Sequence, residues 1–174
     1  MAIELPRFDP LPAFNFYISL IDTSSTFSQL KTGVTGFALG GFTECTGLDA
    51  SLEIEEFKEG GVNDRVHKFP TRNSFSNITL KRGVGFGEDL WLWYEEFLQG
   101  KGIRRNGLIV LANELRIPIK IWSFERGLPI KWSGPALNSG TSAIAIESIE
   151  IAHEKLELMM SPGKALDGVL DAVF

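Results

Sequence analysis

Ser76-Asn77-Ile78-Thr79-Leu80-Lys81-Arg82-Gly83-Val84-Gly85-Phe86-Gly87-Glu88-Asp89-Leu90-Trp91-Leu92-Trp93-Tyr94-Glu95-Glu96-Phe97-Leu98-Gln99-Gly100 changes its hydrophobic period midway. From Ser76 to Lys81, Ile78 and Leu80 alternate with Asn77, Thr79 and Lys81, the period of two that a half-buried strand requires. From Glu88 to Gln99, Leu90, Trp93, Tyr94, Phe97 and Leu98 recur at helical spacing. Glu88 and Asp89 occupy the first turn, where the positive end of the peptide dipoles favours acid, and Gly100 suits a left-handed stop. The stretch therefore predicts strand, glycine turn and helix.

On both sides the pattern is mainly of strands. Phe14, Phe16, Ile18 and Leu20 alternate with Asn15, Tyr17 and Ser19, and strand-like segments follow at Phe42–Thr46, Ser51–Phe57 and Val66–Phe69. Beyond the helix come Leu108–Ala112, Ile117–Phe124, Leu128–Trp132, Ala143–Ile151 and Ala152–Leu158. Ile144 and Ile146 have one parity and Ile149 and Ile151 the other, which predicts a bulge near Glu147-Ser148. Nine or ten strands with one helix imply a mostly β fold, an antiparallel β-barrel or sandwich with the helix packed across it. A single barrel domain is expected over 1–160. It carries an extended Ser/Thr/Gly-rich loop at 22–40, and an apolar tail with a short helical stripe follows at 161–174.

Charge and composition narrow the function. The chain has 174 residues, enough for one core, and a net charge of −5 that disfavours a grip on nucleic acid. Cys45 is the sole cysteine, so no internal disulfide forms, as expected of a reducing cytoplasm. The N-terminus lacks the basic and apolar regions of a signal peptide, and no apolar run reaches the ~18 residues that span a bilayer. Cytoplasmic synthesis without membrane insertion is the expectation.

The chemical motifs are weak. Gly83-Val84-Gly85-Phe86-Gly87 lies where a phosphate loop would, but its spacing fits neither nucleotide fingerprint. Glu88 and Asp89 would also repel phosphate from the helix start. His67 and His153 have no metal-ligand spacing, and Cys45 has no marked base or orienting group. No catalytic, cofactor or metal residues are assigned. Glu53, Glu55, Glu56 and Glu59 form an acidic stretch suited to a solvated strand face or, more sharply, to the wall of a channel. Lys81-Arg82 and Arg104-Arg105 flank the helix as short basic pairs, suited to acidic patches on a neighbour.

The order of the pieces carries a resemblance. Phe42-Thr43-Glu44-Cys45-Thr46-Gly47-Leu48, then Glu53 to Gly61, resembles the F-x-E-x-x-G-L … E-Y-x-E-G-G signature of phage tail tube proteins, shared by contractile phages and extracellular contractile injection systems. The similarity continues through Val66-x-Lys68-Phe69-Pro70, Asn77 to Val84, Leu90-Trp91-x-Trp93, Arg104-Arg105, Ile121-Trp122, Leu128 to Trp132 with Gly134-Pro135, and Ala145 to Glu154. It spans about residues 14 to 158 in collinear order. The sequence departs from the pattern at Thr71-Arg72, where a glycine is usual, and at Glu125-Arg126-Gly127. It departs again in the length of the 22–40 loop and in the tail after 160.

The resemblance implies the tube-protein barrel also found in the type VI secretion ring protein. It further implies subunits that close six to a ring and rings that stack into a hollow conduit inside a sheath. Expected partners are like rings, the sheath protein and, at the ends, spike, baseplate or tube-cap proteins. The alternatives are a tube-initiator ring that joins tube to spike and baseplate and, from another class, a monomeric ligand-binding β-barrel. For a ring, the interface candidates are Phe27, Leu30, Val34 and Phe37 in the loop, Arg104 and Arg105, and Leu166, Val169, Leu170, Val173 and Phe174 in the tail. Glu53, Glu55 and Glu59 are the lumen candidates.

Overall fold

A computed structural model describes residues 12–22, 41–61, 64–85 and 87–160. The loop candidates Phe27, Leu30, Val34 and Phe37 and the tail candidates Leu166, Val169, Leu170, Val173 and Phe174 lie outside the described residues.

The chain is mostly β, as its alternation requires. β1 (Phe16–Asp22), β2 (Phe42–Thr46), β5 (Ile78–Gly83), β6 (Arg105–Ala112), β7 (Pro118–Ser133), β8 (Ile146–Ala152) and β9 (Lys155–Met160) form one antiparallel sheet. The strands run in the order β1-β6-β7-β8-β5-β2, with β9 also on β7. The two ends of that path, β1 and β2, approach each other, so the sheet rolls into a barrel. β3 (Ala50–Phe57) and β4 (His67–Phe75) pair only with each other.

The barrel interior takes one parity of β1, β5 and β8, while β6 buries Gly107, Leu108 and Ile109 in succession. Ile18 and Leu20 of β1, Ile78 and Leu80 of β5, Phe124 of β7, and Ile149 and Ile151 of β8 are buried together with Phe42 of β2. Helix α1 (Asp89–Leu98) packs against β7 and adds Leu90 and Trp93 to the core. The Trp93 indole N–H donates to the carbonyl of Ile103, so its polar edge is satisfied while the ring is buried. Gly100 ends the helix at φ +73, its N–H bonded to the Phe97 carbonyl and that of Lys101 to Glu96.

Three strand readings differ from the sequence pattern, the first being the strand expected at Val66–Phe69, which as β4 runs on to Phe75. The expected strands Ile117–Phe124 and Leu128–Trp132 are one strand, β7, bent at Glu125-Arg126-Gly127. Arg105 opposes Gly127 while Gly107 opposes Phe124, so β7 carries one extra residue there. Arg126 adopts φ 54 at this bulge, and its N–H is held by the side-chain oxygen of Asn106. Phe124 fills the inside of the corner, its ring lying where side chains on Gly107 and Gly127 would be. The bulge expected at Glu147-Ser148 is absent. β8 starts at Ile146 and pairs with β5 in unbroken register, because the opposite parity of Ile144 belongs to the irregular segment before it. The interruption falls instead at His153-Glu154, where β8 gives way to β9 along the same edge of β7, opposite the β7 corner.

The buried charges Arg82 and Glu147 are paired. Arg82 Nε meets Glu147 Oε1 at 2.6 Å, and both side chains are buried. Trp132 donates its indole N–H to the other Glu147 oxygen, and Arg82 Nη2 reaches the carbonyl of Gly87. This network ties β5, β7 and β8 to the glycine turn that leads into α1.

Candidate assembly surface

β2 and β5 leave the barrel together and continue as the two strands of the β3–β4 hairpin. The root is set by Gly47 at φ +88: an added Cβ there would lie 1.9 Å from the carbonyl oxygen of Asn77, so only glycine lets the chains close up. Ser76 N–H bonds to the Asp49 carbonyl across the root, and the Asn77 amide bonds to Glu150 on β8. The glycine of the F-x-E-x-x-G-L motif is therefore the point where barrel becomes hairpin. Its acid, Glu44, pairs with Lys81 on the neighbouring strand at 2.9 Å, and its phenylalanine, Phe42, is in the core.

Beyond the root nothing covers either face among the described residues. Every residue of β3 is exposed, and so are the residues of β4 between its ends. Leu52 (54%), Ile54 (52%), Phe57 (57%) and Phe69 (53%) keep more than half of their surface in solvent. Cross-strand pairing places Ile54 with Pro70 and Glu56 with Lys68 on one face, and Glu55 with Phe69 and Phe57 with His67 on the other. His67 stacks on Phe69 and meets Glu59 at 3.3 Å, while Lys68 meets Glu56 at 3.6 Å. Thr71 and Arg72, the departure from the tube pattern, form a bulge opposite Glu53, with the Thr71 hydroxyl donating to the Glu53 carbonyl. The lumen candidates Glu53, Glu55 and Glu59 thus stand together on the projecting hairpin, outside the barrel wall.

The sequence reading found these carboxylates but missed the two-sided exposure. The signal was present: Phe57 shares the parity of Glu53 and Glu55, so neither face of β3 is purely polar.

Sheet edges are a second feature. Among the described residues, β1, β2 and β9 each pair with one strand. At the β7 corner, Arg104 reaches Glu154 at 2.8 Å and Arg126 reaches the same carboxylate at 2.8 Å, both outside the core. Arg105 lies inward, its guanidinium 5.3 Å from the Trp93 ring centroid. Lys155 meets Glu157 and Glu125, and the Glu157 hydrogen bond holds its ammonium above the ordinary range. Burial pushes the Cys45 thiol up to about 11. No group of three or more potential metal ligands occurs among the described residues, and no helix among them is long and apolar enough to cross a membrane.

The family model described as T4-like virus tail tube protein gp19 matches residues 12–157. The chain belongs to this tail tube family. Solved structures carry the same fold. A chain in the cryo-EM structure of the anti-feeding prophage baseplate, 6-fold symmetrised, is 22% identical, covers 90% of this chain and 99% of its own, and superposes with a TM-score of 0.76. A chain in the extended sheath–tube complex of the PVC extracellular contractile injection system is 21% identical over 87% of this chain and 92% of its own, with a TM-score of 0.71. A type six secretion system protein shares 14% identity over 84% of this chain and 83% of its own, at a TM-score of 0.56. Nothing among curated proteins matches the sequence. As a tail tube protein, the chain is a structural component of phage-tail or contractile-injection machinery.

Proposed function

We propose that this tail tube protein closes six to a ring and that the rings stack into the hollow inner tube of a contractile injection particle or phage tail. The observation that carries the reading is the hairpin. A two-stranded ribbon is marginal alone in water, and this one displays apolar side chains on both faces. Covering Leu52, Ile54, Phe57 and Phe69 on an adjacent copy returns several kcal/mol per subunit at ~25 cal/mol per Å2, less the cost of ordering. Lateral closure runs along β1, β2 and β9, each of which pairs with one strand among the described residues. Arg104 flanks that lateral surface, whereas Arg105 is turned inward onto Trp93, and Glu53, Glu55 and Glu59 give the bore a neutral to acidic character past which cargo slides. The subunit is structural, with a sheath outside the tube and spike, baseplate or cap proteins at its ends.

A second reading is the ring that starts the tube on the spike and baseplate. It rests on two departures from the tube pattern, the length of the 22–40 segment and the apolar stretch after 160. Negative-stain microscopy of the purified chain tests both readings. Stacked six-fold rings of indefinite length fit the repeated subunit, and single or short-stacked rings fit the initiator. A monodisperse monomer in sedimentation at millimolar concentration overturns both and returns the ligand-binding barrel.

A further inference from the structure

The first and last strands of the barrel meet the same end of β7, and that end is apolar. Phe16 opens β1 opposite Leu111, Leu111 opposes Lys120 near the start of β7, and Met160 closes β9 opposite Ile121. The turn from β6 to β7 lies just beyond these pairs. Asn113 organises it. Its side-chain oxygen accepts from the N–H groups of Leu115 and Ile117 at 3.0 and 2.9 Å, its N–H donates to the Ile117 carbonyl, and its carbonyl accepts from Arg116. The Asn15 amide donates to the Asn113 carbonyl and the Ala112 N–H to the Asn15 carbonyl, so the segment before β1 is tied to the same turn.

Turns of this kind ordinarily face water with polar side chains. This one holds out Leu115 at 79% exposure and Ile117 at 51%. Phe14, next to the tie at Asn15, is 74% exposed, although Phe16 packs against the core. Three large apolar side chains gathered on an ordered end mark a surface that something covers.

Residues 161–174 start from Met160, at this end. Leu166, Val169, Leu170, Val173 and Phe174 fall at i, i+3, i+4, i+7 and i+8, the positions of one helical stripe. From Ile121, the partner of Met160, back to Ile117 the chain covers at most about 13 Å. The 14 residues of the tail reach about 21 Å as a helix and about 46 Å extended, so the turn is well within range. Charge agrees. The turn and the start of β7 carry Arg116 and Lys120 against Glu114, while the tail carries Asp167 and Asp171 against Lys164. On the sequence alone the tail residues are candidates for a neighbouring subunit; the strand register puts an apolar end of their own barrel nearer. A tethered segment meets its own barrel at an effective concentration in the millimolar range, which favours that site.

We propose that residues 161–174 cover the end of their own barrel, with the apolar stripe on Phe14, Leu115 and Ile117 and with Asp167 and Asp171 toward Arg116 and Lys120. The tail is then a fixed part of each subunit, in place before any ring forms.

Hydrogen–deuterium exchange of the full chain, read by mass spectrometry on peptides covering 111–119 and 164–174, tests the cover. In the wild type, amides of 164–174 are expected to exchange about ten-fold or more slowly than their intrinsic rates. Leu115→Ser with Ile117→Ser brings them to within about two-fold of intrinsic, and Leu98→Ser, on the exposed face of α1, leaves them protected. If the turn variant does not fold, Leu166→Ser with Leu170→Ser is read from the other side, as faster exchange at 113–117. A tail that exchanges at its intrinsic rate in the wild type, or one whose protection survives in the turn variant, overturns the proposal. Mixing the turn variant with the tail variant separates the two sources of a cover. On its own barrel the intact tail of the turn variant stays unprotected in the mixture. Protection regained on mixing means that the tail docks on a second copy, and overturns the proposal. Wild-type chain that sediments as a monomer keeps the protection, so failure of ring assembly and failure of the cover are read separately.

Discussion

The barrel and the hairpin are built from the same material, antiparallel strands with alternating apolar residues, and they end in opposite environments. Ile78 and Leu80 on β5 and Ile149 and Ile151 on β8 are wholly buried, whereas Leu52, Ile54, Phe57 and Phe69 are each more than half exposed. The difference lies in what each pair of strands meets next. In the barrel, one face of the sheet closes on a core that α1 completes. The hairpin leaves at Gly47 and meets nothing further among the described residues. Stability of the subunit therefore resides in one region and the proposed contact with other subunits in the other, and substitutions can separate the two.

The largest effect is expected in the barrel. Trp93 is fully buried between α1 and the sheet, stacks under Arg105 and anchors its N–H on Ile103. Trp93→Ala removes that volume and should cost about 3–5 kcal/mol, read as a lower denaturant midpoint of the unassembled chain. A cost under about 1 kcal/mol would mean that the core does not depend on the helix, and the division between regions would fail.

Gly47→Ala is expected next, because it strikes the junction. The new Cβ meets a backbone carbonyl that cannot rotate away, and φ +88 is itself unfavourable for alanine. A loss of about 2 kcal/mol or more is expected, with exchange protection falling first at residues 47–50 and 75–78. If the loss is uniform over the barrel instead, the root is not a separate junction.

The sequence made the barrel legible and left the junctions obscure, for physical reasons. Period-two alternation located β1, β2 and β5, and the period of 3.6 located α1 to within a residue at either end, because those elements each bury one face. β7 read as two strands, since Arg126-Gly127 looks the same whether it closes a turn or bends a strand. Only the position of Phe124 over Gly107 and Gly127 decides for the bend. Lys81-Arg82 read as a surface pair, yet Arg82 points inward to Glu147, a partner 65 residues away that no local pattern reveals. Of the assembly surface, the motif glycine and the glutamates were visible. That Leu52 and Ile54 lack a cover was not, because alternation marks an apolar face without saying whether the chain covers it.

Substituting the hairpin sharpens the comparison from the other side. Ile54→Ser with Phe69→Ser, one residue from each face, should change stability of the unassembled chain by no more than about 0.5 kcal/mol, since both side chains already face water. The same pair should prevent tube growth or shorten the tubes seen by negative stain. Normal tubes from a stable double variant would mean that the hairpin faces are decoration. A destabilised monomer would mean that they are covered by their own chain.

The smallest effect is expected at Cys45, which lies on β2 just before the junction and packs against the core. Burial raises its thiol from an ordinary 9.0 to about 11, because the apolar surroundings oppose a thiolate. At pH 8 the folded chain should therefore react with iodoacetamide about ten-fold or more slowly than the unfolded chain, since only the thiolate attacks. The stability consequence has a definite sign. Below pH 9 both states hold the thiol proton and nothing changes. Between about 9 and 11 the unfolded chain loses that proton while the folded chain keeps it, so stability falls as pH rises. Cys45→Ala should remove that alkaline loss, measured as the difference in denaturation midpoint between pH 8 and pH 10. Fast alkylation of the folded chain at pH 8 would place Cys45 with the hairpin, on the open side of the Gly47 junction, and move the boundary of the barrel inward by two residues.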